Sequence, residues 1–150
     1  MVRLSQTVAA VCCCLALAFS PAHGEAQSDQ NPCYDPKASA DETIAACSEL
    51  LRSGSLSDKG TAIAYYNRGI GYHAKGQEDL AIADYTAALR INPNYANAYY
   101  GRGFVYHARG QEDLAIADYT SVLRINPNNA YAYNNRGAAY HAKGDRKSVV

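Results

Sequence analysis

The chain has no tryptophan, one methionine and two phenylalanines in 150 residues, so its aromatic packing rests on 13 tyrosines. It has no excess of charge: 14 basic and 14 acidic residues leave a formal net charge of zero. A balanced chain casts no field to draw it onto phosphate backbones or anionic lipid, which argues against nucleic acid as a partner. The longest largely apolar run, Thr7 to Phe19, falls short of the ~20 residues that cross a bilayer. No nucleophile elbow, phosphate loop, dinucleotide fingerprint or zinc-protease helix occurs in it. These absences argue against an enzyme and against a bound cofactor. At this length the expectation is one domain with a modest core.

The first two dozen residues read as a targeting segment. Arg3 is a positive start, Thr7 to Phe19 the apolar stretch, and Pro21-Ala22-His23-Gly24 ends in the small residues a signal peptidase selects. Residues 1–24 are expected to be removed after Gly24, with Ala26 the alternative, placing the mature chain in the periplasm or outside the cell with no membrane span. Cleavage removes Cys12, Cys13 and Cys14 and leaves Cys33 and Cys47. An even pair in an exported chain reads as a disulfide, with two buried thiols the alternative. A metal site is not expected, because two cysteines without neighbouring histidines do not complete a tetrahedral shell.

Residues 62–95 align without gaps to 96–129, 26 of the 34 positions being identical, and residues 130–144 start a third copy. Each copy has two apolar-periodic stretches split by a basic residue and glycine: Lys75-Gly76, Arg109-Gly110 and Lys143-Gly144. The second stretch stops at Asn92-Pro93 or Asn126-Pro127, where proline prevents the helix from continuing. The pattern predicts helices near 58–75, 77–91, 95–109, 111–125 and 129–143. Upstream, Ser39-Ala40-Asp41-Glu42 has the capping-box form and opens a further helix to about Arg52. Setting Cys47-Ser48 over Tyr85-Thr86 aligns Ile44 with Ile82 and Leu51-Arg52 with Leu89-Arg90, so this helix resembles the second helix of a unit and caps the array.

The matched positions are Tyr65, Gly69, Tyr72, Gly76, Ala81, Tyr85, Ala88 and Pro93 in the first copy. The second copy has Tyr99, Gly103, Tyr106, Gly110, Ala115, Tyr119 and Pro127, and the third has Tyr133, Gly137, Tyr140 and Gly144. In period and in these residues the chain resembles the tetratricopeptide repeat family. The resemblance implies an all-α fold, an α-solenoid of stacked helix-turn-helix hairpins with a concave, partner-binding side. The domains that follow are a loose N-terminal segment plus capping helix at 25–60, units at 61–95 and 96–129, and a partial unit at 130–150.

Two positions depart from the family pattern, charged residues standing where apolar ones are usual: Arg68, Arg102 and Arg136, and Asp84 and Asp118. Their joint replacement points to Arg–Asp pairing, either within a unit or between Asp84 and Arg102 and between Asp118 and Arg136. At the other end, the third copy has no second helix to cover Ala138, Ala139 and Tyr140. His73, His107 and His141 recur at the repeat period, but packed helix axes lie ~8–10 Å apart while a zinc ion holds its ligands at ~2.1 Å. A shared metal is therefore excluded, and the histidines read as copies of one surface position.

Helical steps from the inward tyrosines and glycines leave one stripe on the first helix of each unit, which the resemblance makes the concave face. It comprises Ile63, Tyr66, Ile70 and His73, then Asn97, Tyr100, Phe104 and His107, then Tyr131, Asn134 and His141. Chaperone-binding members of the family carry a carboxylate clamp there; Tyr66 and Ile70 stand in its place, so a free C-terminal carboxylate is not the expected ligand. The expected function is a protein-interaction module holding a protein or peptide segment, with Tyr100 and Phe104 as anchors. The competing expectation is a structural subunit that self-associates into a homo-oligomer through its uncovered last helix, or a truncated member of a longer scaffold of the same repeats.

Overall fold

The computed structural model describes residues 31–148, with side chains to Gly144. The expected signal segment, residues 1–24, lies outside the described residues. Six helices follow one another: α1 (Ala40–Ser53), α2 (Asp58–Ala74), α3 (Glu78–Ile91), α4 (Ala96–Ala108), α5 (Glu112–Ile125) and α6 (Ala130–Ser148). Each packs on its neighbour in sequence, and α2–α3 and α4–α5 form hairpins. The first helices of successive units also touch, α2 with α4 and α4 with α6, whereas among the described residues α3 and α5 do not. The array therefore curves, with α2, α4 and α6 on its inner side.

Local chemistry places the breaks. Ser39 and Glu42 form the reciprocal capping box at the start of α1, and Ser57 caps α2 by accepting from the Gly60 amide at 3.2 Å. The turn between α2 and α3 is a Schellman motif. Gly76, at φ 70°, donates to the His73 carbonyl, and Gln77 donates to that of Tyr72, both at 2.9 Å. Gly110 and Gln111 repeat this against His107 and Tyr106. Glycine is required there because a side chain at positive φ crowds its own carbonyl. Gly144 does not make this turn: α6, expected to stop near residue 143, continues through it to Ser148. At Gly76 and Gly110 the following helix folds back and packs on the one before it.

Small residues set the spacing between helices. Ala64, Ala81, Ala88, Ala98, Ala115 and Ala132 are fully buried at the crossings. Tyr85 lies across Gly69 of its own unit and Gly101 of the next; a Cβ at either would stand 2.8 or 2.9 Å from its ring. Tyr119 occupies the corresponding place over Gly103. Ala139, expected to be uncovered, is buried against Ala115 and Tyr119 of α5, so α5 covers part of the last helix.

The Arg–Asp pairs form within units. Arg68 donates to both carboxylate oxygens of Asp84 at 2.7 and 2.8 Å, and Arg102 donates to both of Asp118 at 2.8 Å. The third nitrogen of each arginine reaches back to a hydroxyl on the preceding second helix, Ser48 at 3.1 Å for Arg68 and Thr86 at 2.9 Å for Arg102. Each guanidinium also lies over two tyrosines, Tyr65 and Tyr72 or Tyr99 and Tyr106, at 5.5 to 5.8 Å. The hydrogen bond from each arginine to its aspartate raises the arginine pKa further. Burial raises that of Asp118, against the opposing pull of Arg102.

The same contacts show α1 acting as a second helix. Ser48 meets Arg68 as Thr86 meets Arg102, and Asp41 pairs with Lys75 as Asp79 pairs with Arg109 and Asp113 with Lys143. Where a unit would carry the buried tyrosine, α1 has Cys47, bonded to Cys33 with Cα atoms 4.8 Å apart. Both cysteines are buried, and the Cys33 carbonyl accepts from the Asn67 side chain at 2.7 Å. Residues 31–39, of which 31–34 are expected to be loose apart from the pin at Cys33, form consecutive turns held by Asn31 and Asp35. The disulfide and the bond to Asn67 fasten these turns to α1 and α2.

Candidate peptide-binding surface

Hollows lie in a row along the inner wall. Tyr66, Ile70 and His73 of α2, Tyr100, Gly101 and Phe104 of α4, and Tyr85 beneath them line one of about 240 Å³. Toward α6, a hollow of about 330 Å³ lies among Asn97, Tyr100, Asn129 and Tyr131. Toward the N-terminal turns, a third of about 210 Å³ is bounded by Cys33, Tyr34, Asp35, Pro36, Ala38, Thr43, Asn67 and Ile70. Ile70 belongs to the first and third, and Tyr100 to the first and second. The hollows thus join into one trough across the inner side.

Apolar surface is exposed along this trough: Ile70 and Phe104 are each 44% accessible and Tyr131 is 75%. Their alignment on the curved side gives the site its chemical character. Among the described residues no lysine or arginine lines the trough. Its polar side chains are the amides of Asn67, Asn97 and Asn129, the phenols, His73, and Thr43 and Asp35 at one end.

Among the residues singled out in the sequence, the trough brings together Tyr66, Ile70, His73, Asn97, Tyr100, Phe104 and Tyr131. Ile63, His107, Asn134 and His141 line none of the three hollows. Tyr66 is largely a packing residue. Its ring lies 5.9 Å from that of Tyr85 and 5.1 Å from that of Tyr95, and burial pushes its phenol pKa up. Tyr100 keeps a face toward the trough. Its hydroxyl is held by the Asn135 amide at 2.7 Å, which fixes the ring's orientation.

The three histidines do not share one environment. His73 stands edge-on to Phe104 with centroids 5.6 Å apart, while His107 Nδ1 meets the buried Glu112 carboxylate at 2.5 Å. His141 is exposed on α6. The difference follows from Glu78, which faces Arg109 of the next unit at 3.8 Å, whereas its counterpart Glu112 turns to His107. Sequence reasoning also missed Tyr34, Asn67, Gly101 and Asn129. Asn67 and Gly101 share a repeat position one step beyond the chosen stripe, and Tyr34 enters only because the disulfide draws residues 33–38 to the end of α2.

Fold and trough define the class: a curved α-solenoid that offers an open apolar trough and no enclosed pocket among its described residues. A family model described as TPR repeat matches residues 71–110 and again 105–144. The hairpin array of this chain belongs to the tetratricopeptide repeat family. Among solved structures it is similar to the first TPR of Spaghetti (RPAP3) bound to HSP90 peptide SRMEEVD. The two are 26% identical over 70% of this chain and 80% of that one, with a TM-score of 0.65. It is also similar to MamA, 31% identical with a TM-score of 0.64 over 72% of this chain and 61% of that one. A second MamA structure gives 31% and 0.64 over 73% and 57%. The chain thus spans about three fifths of the MamA chains. No curated protein matches it.

Proposed function

We propose that this protein is an exported interaction module whose inner trough holds a segment of another protein. The observation that carries the reading is the line of Ile70, Phe104 and Tyr131, exposed on the concave side, with half-buried Tyr100 between them and amides interleaved. Such a surface suits the apolar face of a helix, or an extended strand whose backbone bonds to Asn97 and Asn129. The relative bound to an HSP90 peptide lends the class support. That peptide, SRMEEVD, is acidic, and with no lysine or arginine along the trough an acidic ligand is not the one proposed here. Export rests on residues 1–24 and is consistent with the Cys33–Cys47 bond, which persists in oxidising compartments. No catalytic role is proposed.

Capture from envelope extract tests the reading. Wild-type protein should retain a partner that the Tyr100→Ala, Phe104→Ala double variant does not, with helical circular dichroism equal in both. Equal capture by the double variant would move the site off this face. The mass of protein recovered from the envelope tests export: it should begin at Glu25, or at Gln27 if cleavage follows Ala26, and a chain retaining Met1 refutes cleavage.

A further inference from the structure

The repeat sets the same polar cluster at two junctions between units, and one copy lacks a side chain. Where α4 and α5 meet α6, Tyr100, Tyr119 and Asn135 stand together. The Asn135 amide donates to the Tyr100 hydroxyl at 2.7 Å and lies beside that of Tyr119. One period of 34 residues earlier the same positions hold Tyr66, Tyr85 and Gly101. Here the amide that serves the phenols is missing, and the hollow of about 240 Å³ lies over the glycine. Asn67, the first copy of that position, also carries an amide, which donates to the Cys33 carbonyl at 2.7 Å.

The chain does not supply the amide at Gly101, because a Cβ there would stand 2.9 Å from the Tyr85 ring. Tyr85 is only 2% accessible, and its hydroxyl lies 3.2 Å from that same point, at the floor of the hollow. Among the described residues no hydrogen bond reaches this hydroxyl or that of Tyr66. His73 Nδ1, in the wall of the same hollow, is also buried without a partner. Polar groups left unpaired beside Ile70 and Phe104 favour a ligand that pairs them and reject one that does not. An apolar side chain leaves both phenols unsatisfied. A carboxylate gives up its hydration with no lysine or arginine in the lining to balance it. A primary carboxamide is uncharged, donates and accepts, and already stands on the equivalent phenol as Asn135. We propose, on the footing that the trough is the binding surface, that the partner segment carries a glutamine or asparagine between apolar residues and seats its carboxamide in this hollow. The amide NH2 donates to the Tyr66 hydroxyl, and its carbonyl accepts from that of Tyr85.

The probe is a phage library of random linear peptides selected on the immobilised full chain, with the strongest binder synthesised and titrated by fluorescence anisotropy. That peptide should carry glutamine or asparagine flanked by apolar residues. Leucine in its place should weaken binding to the wild type roughly tenfold, since it leaves the phenols unpaired. Against the Tyr66→Phe, Tyr85→Phe variant the preference should vanish or reverse, with the thermal melt unchanged because neither hydroxyl has a hydrogen bond to lose. Peptides that need Tyr100 and Phe104 but bind equally well with leucine for the carboxamide overturn this inference and leave the trough standing. Acidic peptides that bind more tightly as pH falls also overturn it, making the hollow a carboxylate site at protonated His73. If no peptide is selected, or binding is indifferent to Tyr100→Ala with Phe104→Ala, the trough reading falls and this one with it.

Discussion

Arg102 and Asp118 meet through two parallel hydrogen bonds of 2.8 Å, with the aspartate side chain 6% accessible and the arginine side chain 18%. The pair lies inside one hairpin, and its spare nitrogen reaches Thr86 of the hairpin before. It therefore sets both the packing angle within a unit and the seating of one unit on the next.

Removing the carboxylate leaves a half-buried guanidinium without its counter-ion. Asp118→Ala should destabilise the protein by about 2–3 kcal/mol. The exposed Asp113, which pairs with Lys143, should cost under about 0.5 kcal/mol when changed to alanine. Urea titrations of the two variants measure the difference; equal losses would show that the buried pair is no stronger than a surface one.

Glycine substitutions should divide by position. A Cβ at Gly69 stands 2.8 Å from the Tyr85 ring, so Gly69→Ala should cost about 1–3 kcal/mol through displaced packing. At Gly137 the same change meets open space and adds helix propensity, and should be stabilising by up to about 1 kcal/mol. Thermal melts of the two variants should move in opposite directions.

High pH should unfold the array through its phenols. Burial raises the pKa of Tyr66, Tyr85 and Tyr119 above the ordinary 10.0 and that of Tyr95 to about 12. Groups with raised values hold their proton more tightly when folded. Their contribution is thus intact below pH 10.0 and lost progressively as pH climbs toward about 12. Helical signal and tyrosinate absorbance followed together should change in one cooperative step. Full ionisation with the helices intact would place these rings in solvent.

The Cys33–Cys47 bond closes a loop of 14 residues and secures the only turns that brace α1 and α2 among the described residues. Reduction, or the Cys33→Ser, Cys47→Ser pair, should cost about 3 kcal/mol. Amide exchange should rise first in α1 while α4 and α5 stay protected. Uniform loss of protection would mean that the cap and the array unfold as one unit.

The sequence by itself determined what local physics decides. A period of 34 with Gly76, Gly110, Pro93 and Pro127 at fixed places delimits the helices, because helix starts and stops depend on residues within one turn. The same local signals marked the capping box at Ser39 and most of the inner stripe. Tertiary structure alone decided the choices in which two distant groups compete for one. Arg102 had Asp84 and Asp118 equally available by spacing, and the hairpin's crossing geometry selected Asp118. His73 and His107 both stand in Tyr-His-Ala before a basic residue and glycine, but Glu78 faces Arg109 of the next unit whereas Glu112 turns to His107. Tyr34 and Asn67 join the trough because the disulfide folds the N-terminal turns against α2.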